Sequence, residues 1–295
     1  MKKLLQRLIA PVATFLALGS AAQARTPQVA KPALWAVSDP DTTIYLFGTI
    51  HLLPEHLQWR TAKLDDAISR SQELVVETIV DEKNPTKLMS ALASLGLAKG
   101  LPPILDRVPP AKRPALEAAI KKSGVPVQAL NGMKSWMAAF LLLSNQFKAL
   151  NLSGGVEGVL RSDFAAQSKP IDELETNVEQ LSFFDRLPES AQRVLLEGAI
   201  EDNDSMKNEF GGMLKAWSRG DVAGIAKTFD RDLSTSPELR DALLRQRNAT
   251  WSKWIEQRMA QPGAVLIAVG AGHLAGKYSV LELLKKDGYT VRRVQ

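Results

Sequence analysis

The ten residues AVLIAVGAGH, from Ala264 to His273, decide the fold of this chain. Residues 264–269 are an apolar, partly β-branched run without a charge, the pattern of a central strand buried on both faces. The run feeds directly into Gly270-Ala271-Gly272-His273. Near the other end of the chain the same device occurs: a short β-type run at 43–47, then Gly48-Thr49-Ile50-His51. Glycine lets the backbone turn sharply off a strand and approach a ligand closely. The histidine that follows is delivered to the sheet edge where open α/β sheets build their sites. Only 3 histidines occur in 295 residues, and 19 residues are glycine. Two Gly-x-x-His spacings among three histidines arise by chance roughly 1% of the time, so the coincidence carries weight.

Working outward, residues 34–37 and 43–47 are β-type runs joined by the turn signal Asp39-Pro40-Asp41, which predicts a hairpin. Residues 60–71 have helical spacing, and ELVVETI at 73–79 predicts a buried strand carrying Glu77. From 85 to 150 the pattern is helical, broken at Pro102-Pro103, Pro109-Pro110 and Gly124-Val125-Pro126; the all-round apolar stretch 134–150 predicts a core helix. Ser153-Gly154-Gly155-Val156-Glu157-Gly158 predicts a loop ahead of a helix running to Ala166. It lacks the GxxxxGK[ST] pattern of a phosphate cradle. KPIDEL at 169–174 predicts a short strand ending at Glu175-Thr176, and 178–227 predicts helical cover. A helix over 239–259 carries Arg247 and Asn248. After the 264–269 strand, a helix at 279–286 and a strand at 289–294 complete a strand-helix-strand unit. The expectation is one large α/β domain: a central mixed β-sheet with flanking helices and helical insertions.

The first 24 residues have the form of an export signal: Lys2, Lys3 and Arg7 beside an apolar run at 8–18, then Ala22-Gln23-Ala24. Cleavage after Ala24 leaves a domain over 25–295, periplasmic or secreted, and no later stretch has the roughly 20 apolar residues of a membrane span. No stable membrane anchor is expected after cleavage. The formal net charge of +5 includes those three leader cations, so the remainder is close to neutral. With charges scattered and only 3 tyrosines, nucleic-acid binding has no compositional support. The absence of cysteine excludes thiol chemistry, and a domain of this size needs no disulfide. Oligomeric state is not legible.

A pair of imidazoles at one sheet edge suits a divalent metal or acid–base work. A carboxylate is needed to complete such a site. Glu77 is the first candidate, because a charge within an apolar run is costly to bury without a partner. Glu157 and Glu175 come next, each balanced against a solvated-surface reading. Arg247 and Asn248 could stabilise an oxyanion or orient a carboxylate, although an arginine on a helix is ordinarily a solvated cation. His56 lies five residues after His51 with Pro54 between them, which fits surface or supporting duty rather than a metalloprotease helix. There is no GxSxG nucleophile elbow, no HExxH and no nucleotide fingerprint.

Taken in order, LWAVSDPDTTIYLFGTIHLLP, LVVET, GGVEGVLRSDFAAQSKPIDELET, LLRQRNATWSKWI and VLIAVGAGHLAGKYSVLELLKKDGYTVRRV resemble the TraB/GumN family, which includes the Tiki proteins. The resemblance spans nearly all of residues 25–295 and implies a fold shared with erythromycin-esterase-like (EreA) and ChaN-like proteins. It also implies a divalent-metal-dependent hydrolase, with a peptidase as the narrower reading, and manganese, cobalt or zinc held by His51, His273 and Glu77. Glu77 or Glu157 would then serve as base, with Arg247 and Asn248 in the surrounding shell and a small molecule or peptide as substrate. The alternative is a non-catalytic protein that binds haem, a metal or a small ligand in the same pocket.

Overall fold

A computed structural model describes residues 28–54, 57–80, 84–148, 152–201, 203–233 and 236–295. The segment expected to be an export signal and His56 fall outside the described residues. Among those described, no helix is long and apolar enough to cross a membrane.

The chain forms one α/β domain around a mixed six-stranded sheet. The strands of the described residues are β1 (Gln28–Val29), β2 (Leu34–Ser38), β3 (Thr42–Thr49), β4 (Leu52–Pro54), β5 (Leu57–Gln58), β6 (Glu73–Val76), β7 (Leu152–Gly154), β8 (Ile171–Glu173), β9 (Gly263–Gly270) and β10 (Val291–Arg293), of which β1 pairs with β5 and β4 with β7 outside the main sheet. The main sheet runs β10-β2-β3-β9-β6-β8. β2 and β3 form the expected antiparallel hairpin, while β3, β9, β6 and β8 are parallel neighbours. The register sets Gly48 opposite Val269 and Thr49 opposite Gly270, so both Gly-x-x-His motifs leave the sheet side by side.

β9 is central and buried because its apolar residues serve both faces. Val265, Ile267 and Val269 join one cluster with Val37, Ile44, Leu46, Trp251, Ile255 and Leu284. Leu266 and Ala268 point the other way, into a larger cluster with Phe47, Leu74, Leu64 and Leu160. This period-2 division is the geometry of a pleated strand. One face is covered by the helices Gln246–Met259 and Val280–Lys286. The other is covered by Ala62–Arg70, Val156–Ala166 and the helical insertions.

Several sequence expectations change. β6 ends at Val76, so Glu77 lies just past the strand rather than inside it. β10 does not sit beside β9; it pairs antiparallel with β2 at the sheet edge, so the terminal strand-helix-strand is not a unit of adjacent strands. The glycine stretch before Val156 is not loop throughout, because β7 pairs antiparallel with β4. Glu157 lies in the first turn of the Val156–Ala166 helix, not in a loop.

Candidate functional site

The carboxyl ends of the parallel strands converge, as open α/β sheets require of their ligand crevices. His51 follows β3, Glu77 follows β6, Glu175 follows β8, and Gly270 closes β9 ahead of the short turn Ala271–Leu274 that holds His273. Arg247 and Asn248 reach the same place from the Gln246–Met259 helix and are 3% and 0% exposed. That settles the alternatives left open by sequence: Arg247 is no solvated cation, and Glu77 and Glu175 are buried. A single π-helical turn, Asp241–Arg245, precedes the two residues. Such turns re-aim the side chains that follow and are frequent beside functional sites.

Glycine makes the crowding possible. A methyl group on Gly155 would stand 2.2 Å from the His51 carbonyl oxygen, so only glycine lets the His51 backbone pass. A methyl on Gly270 would stand 3.1 Å from Glu77 Oε1, 3.7 Å from His273 Cδ2 and 3.9 Å from His51 Nε2. Three donor side chains therefore surround one bare stretch of backbone.

Each of those side chains is fixed by a further partner. His51 Nδ1 meets Glu157 Oε1 at 2.8 Å, and Glu157 also accepts from the Thr49 hydroxyl. With Nδ1 so engaged, His51 Nε2 faces the pocket. Asn248 donates through Nδ2 to the Tyr278 carbonyl at 2.7 Å, which turns its Oδ1 toward His273 Nδ1 at 2.6 Å. His273 Nδ1 is therefore the protonated nitrogen, and its Nε2 accepts from Arg247 Nη1 at 3.2 Å. Glu77 accepts from the Gly270 backbone N–H at 2.7 Å and from Arg247 Nη2 at 2.8 Å. Glu175 receives Arg247 Nε at 2.9 Å and Nη2 at 2.8 Å, together with Trp251 Nε1 at 2.9 Å. The Trp251 ring lies 4.3 Å from the His273 ring and 4.7 Å from the Arg247 guanidinium carbon.

The electrostatics follow from this network. Burial alone would make His51 harder to protonate, but the charge and hydrogen bond of Glu157 outweigh it and raise its pKa to about 9. Burial and the neighbouring Arg247 push His273 down to about 3. For Glu77 burial opposes ionisation, yet Arg247, the two histidines and the Gly270 N–H hold its pKa at about 2. Glu157 is lowered, its burial offset by His51 and Thr49. Glu175 is raised, because burial exceeds the compensation from Arg247. Opposed shifts among buried, contacting groups are a feature of functional sites.

Among the described residues, no three histidine, aspartate or glutamate side chains are grouped as a ready metal-ligand set. Arg247 Nη1 takes the His273 Nε2 lone pair instead. Sequence reading missed Thr49, Trp251 and the Gly270 N–H. Trp251 stands four residues after Arg247, on the same helix face, a spacing that could have flagged it.

The sequence model of the TraB/PrgY/gumN family matches residues 33–293. The chain is 24% identical over 243 residues to the uncharacterized protein YbaP of Escherichia coli, covering 82% of this chain and 87% of that protein. It is 22% identical over 271 residues to an uncharacterized protein of Treponema pallidum, covering 85% and 80%. No solved structure matches it. With the family pattern spanning both Gly-x-x-His motifs and every strand of the main sheet, the chain belongs to the TraB/PrgY/gumN family.

Proposed function

We propose that this protein is an exported, metal-dependent hydrolase acting on peptide or related amide bonds. The carrying observation is the gathering of His51 Nε2, His273 and Glu77 Oε1 around the bare Gly270 backbone. The donor types, although not grouped as a ready ligand set, are those a divalent ion takes: two imidazoles with their Nδ1 protons held by Glu157 and Asn248, and one ionised carboxylate. Outer partners of this kind fix tautomer and ring orientation at metal sites. His51, His273 and Glu77 would hold manganese, cobalt or zinc, with Arg247 Nη1 releasing His273 and His51 giving up its proton. When bound there, the ion supplies Lewis-acid polarisation and an acidified water.

The remaining groups work around that centre. A carboxylate held at about 2 is a poor proton acceptor at neutral pH, which favours ligation over base duty for Glu77. Bonds to His51 and Thr49 favour a positioning role for Glu157 rather than the base expected from sequence. Arg247 lines the pocket and is anchored by two carboxylates, so its guanidinium is preorganised to offset negative charge on a tetrahedral intermediate. Asn248 keeps His273 in the Nε2-accepting tautomer.

No observation favours the haem-binding alternative. The test is peptide hydrolysis by residues 25–295 supplied with manganese, cobalt or zinc. His51→Ala and His273→Ala should each lose at least ~100-fold in turnover, the scale of removing one preorganised catalytic group. Undiminished turnover in both variants overturns the assignment.

A further inference from the structure

The pocket has two chemically different walls. One presents His51, Glu77, Arg247 and His273; the other presents Ile50, Leu52, Phe210, Met213 and Phe229. Phe210 and Met213 project from the helix Asn203–Ser218, and Phe229 from the helix Val222–Leu233 that packs on the Ala271–Leu274 turn. Among the described residues, no charged side chain belongs to this second wall. A methyl on Gly272 would stand 2.4 Å from the tip of the Phe229 ring, so the aromatic side chain sits directly on the backbone beside His273.

We propose that this wall is a specificity pocket for one apolar side chain of the substrate, of the leucine, methionine or phenylalanine class, adjoining the bond that reacts. The inference rests on the hydrolase reading above and names its substrate class. The pocket between the two walls is small, so an entering apolar side chain would displace the few waters it can hold. Expelling those waters from apolar walls is favourable, whereas a charged side chain would lose its hydration and find no partner there. Phe210 is only half-buried, so trimming it widens the pocket without emptying the core.

Peptides identical except at one position, carrying leucine, methionine, phenylalanine, tryptophan, aspartate or lysine, test this directly. Cleavage is read by mass spectrometry on metal-loaded wild type and Phe210→Ala, and binding by calorimetry on His51→Ala. The expected result is at least tenfold preference for leucine, methionine and phenylalanine over aspartate and lysine, with Phe210→Ala shifting preference toward tryptophan. Cleavage without apolar preference overturns this inference and leaves the hydrolase standing. Apolar-selective binding with no cleavage of any peptide supports the pocket and sinks the hydrolase. Neither binding nor cleavage overturns both. Should Phe210→Ala fail to fold, the wild-type preference alone decides.

Discussion

Arg247 brings a positive charge into a place water scarcely reaches, and the site is organised by what that charge needs. Its fork engages Glu175 through two nitrogens, Glu77 through a third contact and His273 through Nη1. Desolvation opposes its charge, but the two carboxylates outweigh it and raise its pKa. Replacing it with methionine would strand two buried carboxylates, a loss of about 3–5 kcal/mol. Urea unfolding of Arg247→Met against wild type measures this; a loss below ~1 kcal/mol would show that the pairs contribute little. Lysine is no substitute, because it lacks the planar fork. At this scale the histidines and Glu77 were legible, since glycine spacing and an isolated charge in an apolar run are local signals. The Glu175–Arg247–Trp251 contacts were not, because their partners are separated by 72 and 76 residues and no periodicity links them.

Elements matter chiefly through where they end. The parallel β3–β9 register sets the two motifs side by side, and Glu77 and Glu175 emerge together because the Glu175 N–H bonds the Glu77 carbonyl at 2.9 Å just past the strands. The hairpin, the central strand and the main helices were readable from apolar period and turn chemistry. The β4–β7 pair was not, because three-residue strands are too short to show a period. Nor was the position of β10, since strand order depends on tertiary contacts rather than on local pattern. The β4–β7 pairing presses Gly155 against the His51 backbone, and this contact admits no side chain. Gly155→Ala should therefore cost ~1–3 kcal/mol through overpacking and displace His51 from Glu157. Thermal melting together with the His51 imidazole NMR signal checks it; wild-type values for both would contradict the packing account.

Across the whole molecule, the sheet face carrying the helical insertions closes over a small, half-apolar pocket whose polar groups set the pH response of stability. His51 sits at about 9 instead of 6.5, so its stabilising contribution is complete below pH 6.5 and lost as pH rises through 9. His273 sits at about 3 instead of 6.5, so its contribution is complete above pH 6.5 and lost as pH falls through 3. Glu77, at about 2 instead of 4.5, adds a loss below pH 4.5. In metal-free protein, His51→Gln should flatten the alkaline limb between pH 6.5 and 9 and also weaken the acid limb, because His51 helps hold Glu157 and Glu77 ionised, read from urea midpoints against pH. An unchanged alkaline slope would remove His51–Glu157 from the account. The central claim is that both Gly-x-x-His histidines serve one metal centre, and calorimetric titration of metal-free residues 25–295 with manganese, cobalt and zinc tests it most directly. The prediction is one ion per chain for at least one of these metals, lost in both His51→Ala and His273→Ala; no binding by wild type, or full binding by both variants, would contradict it.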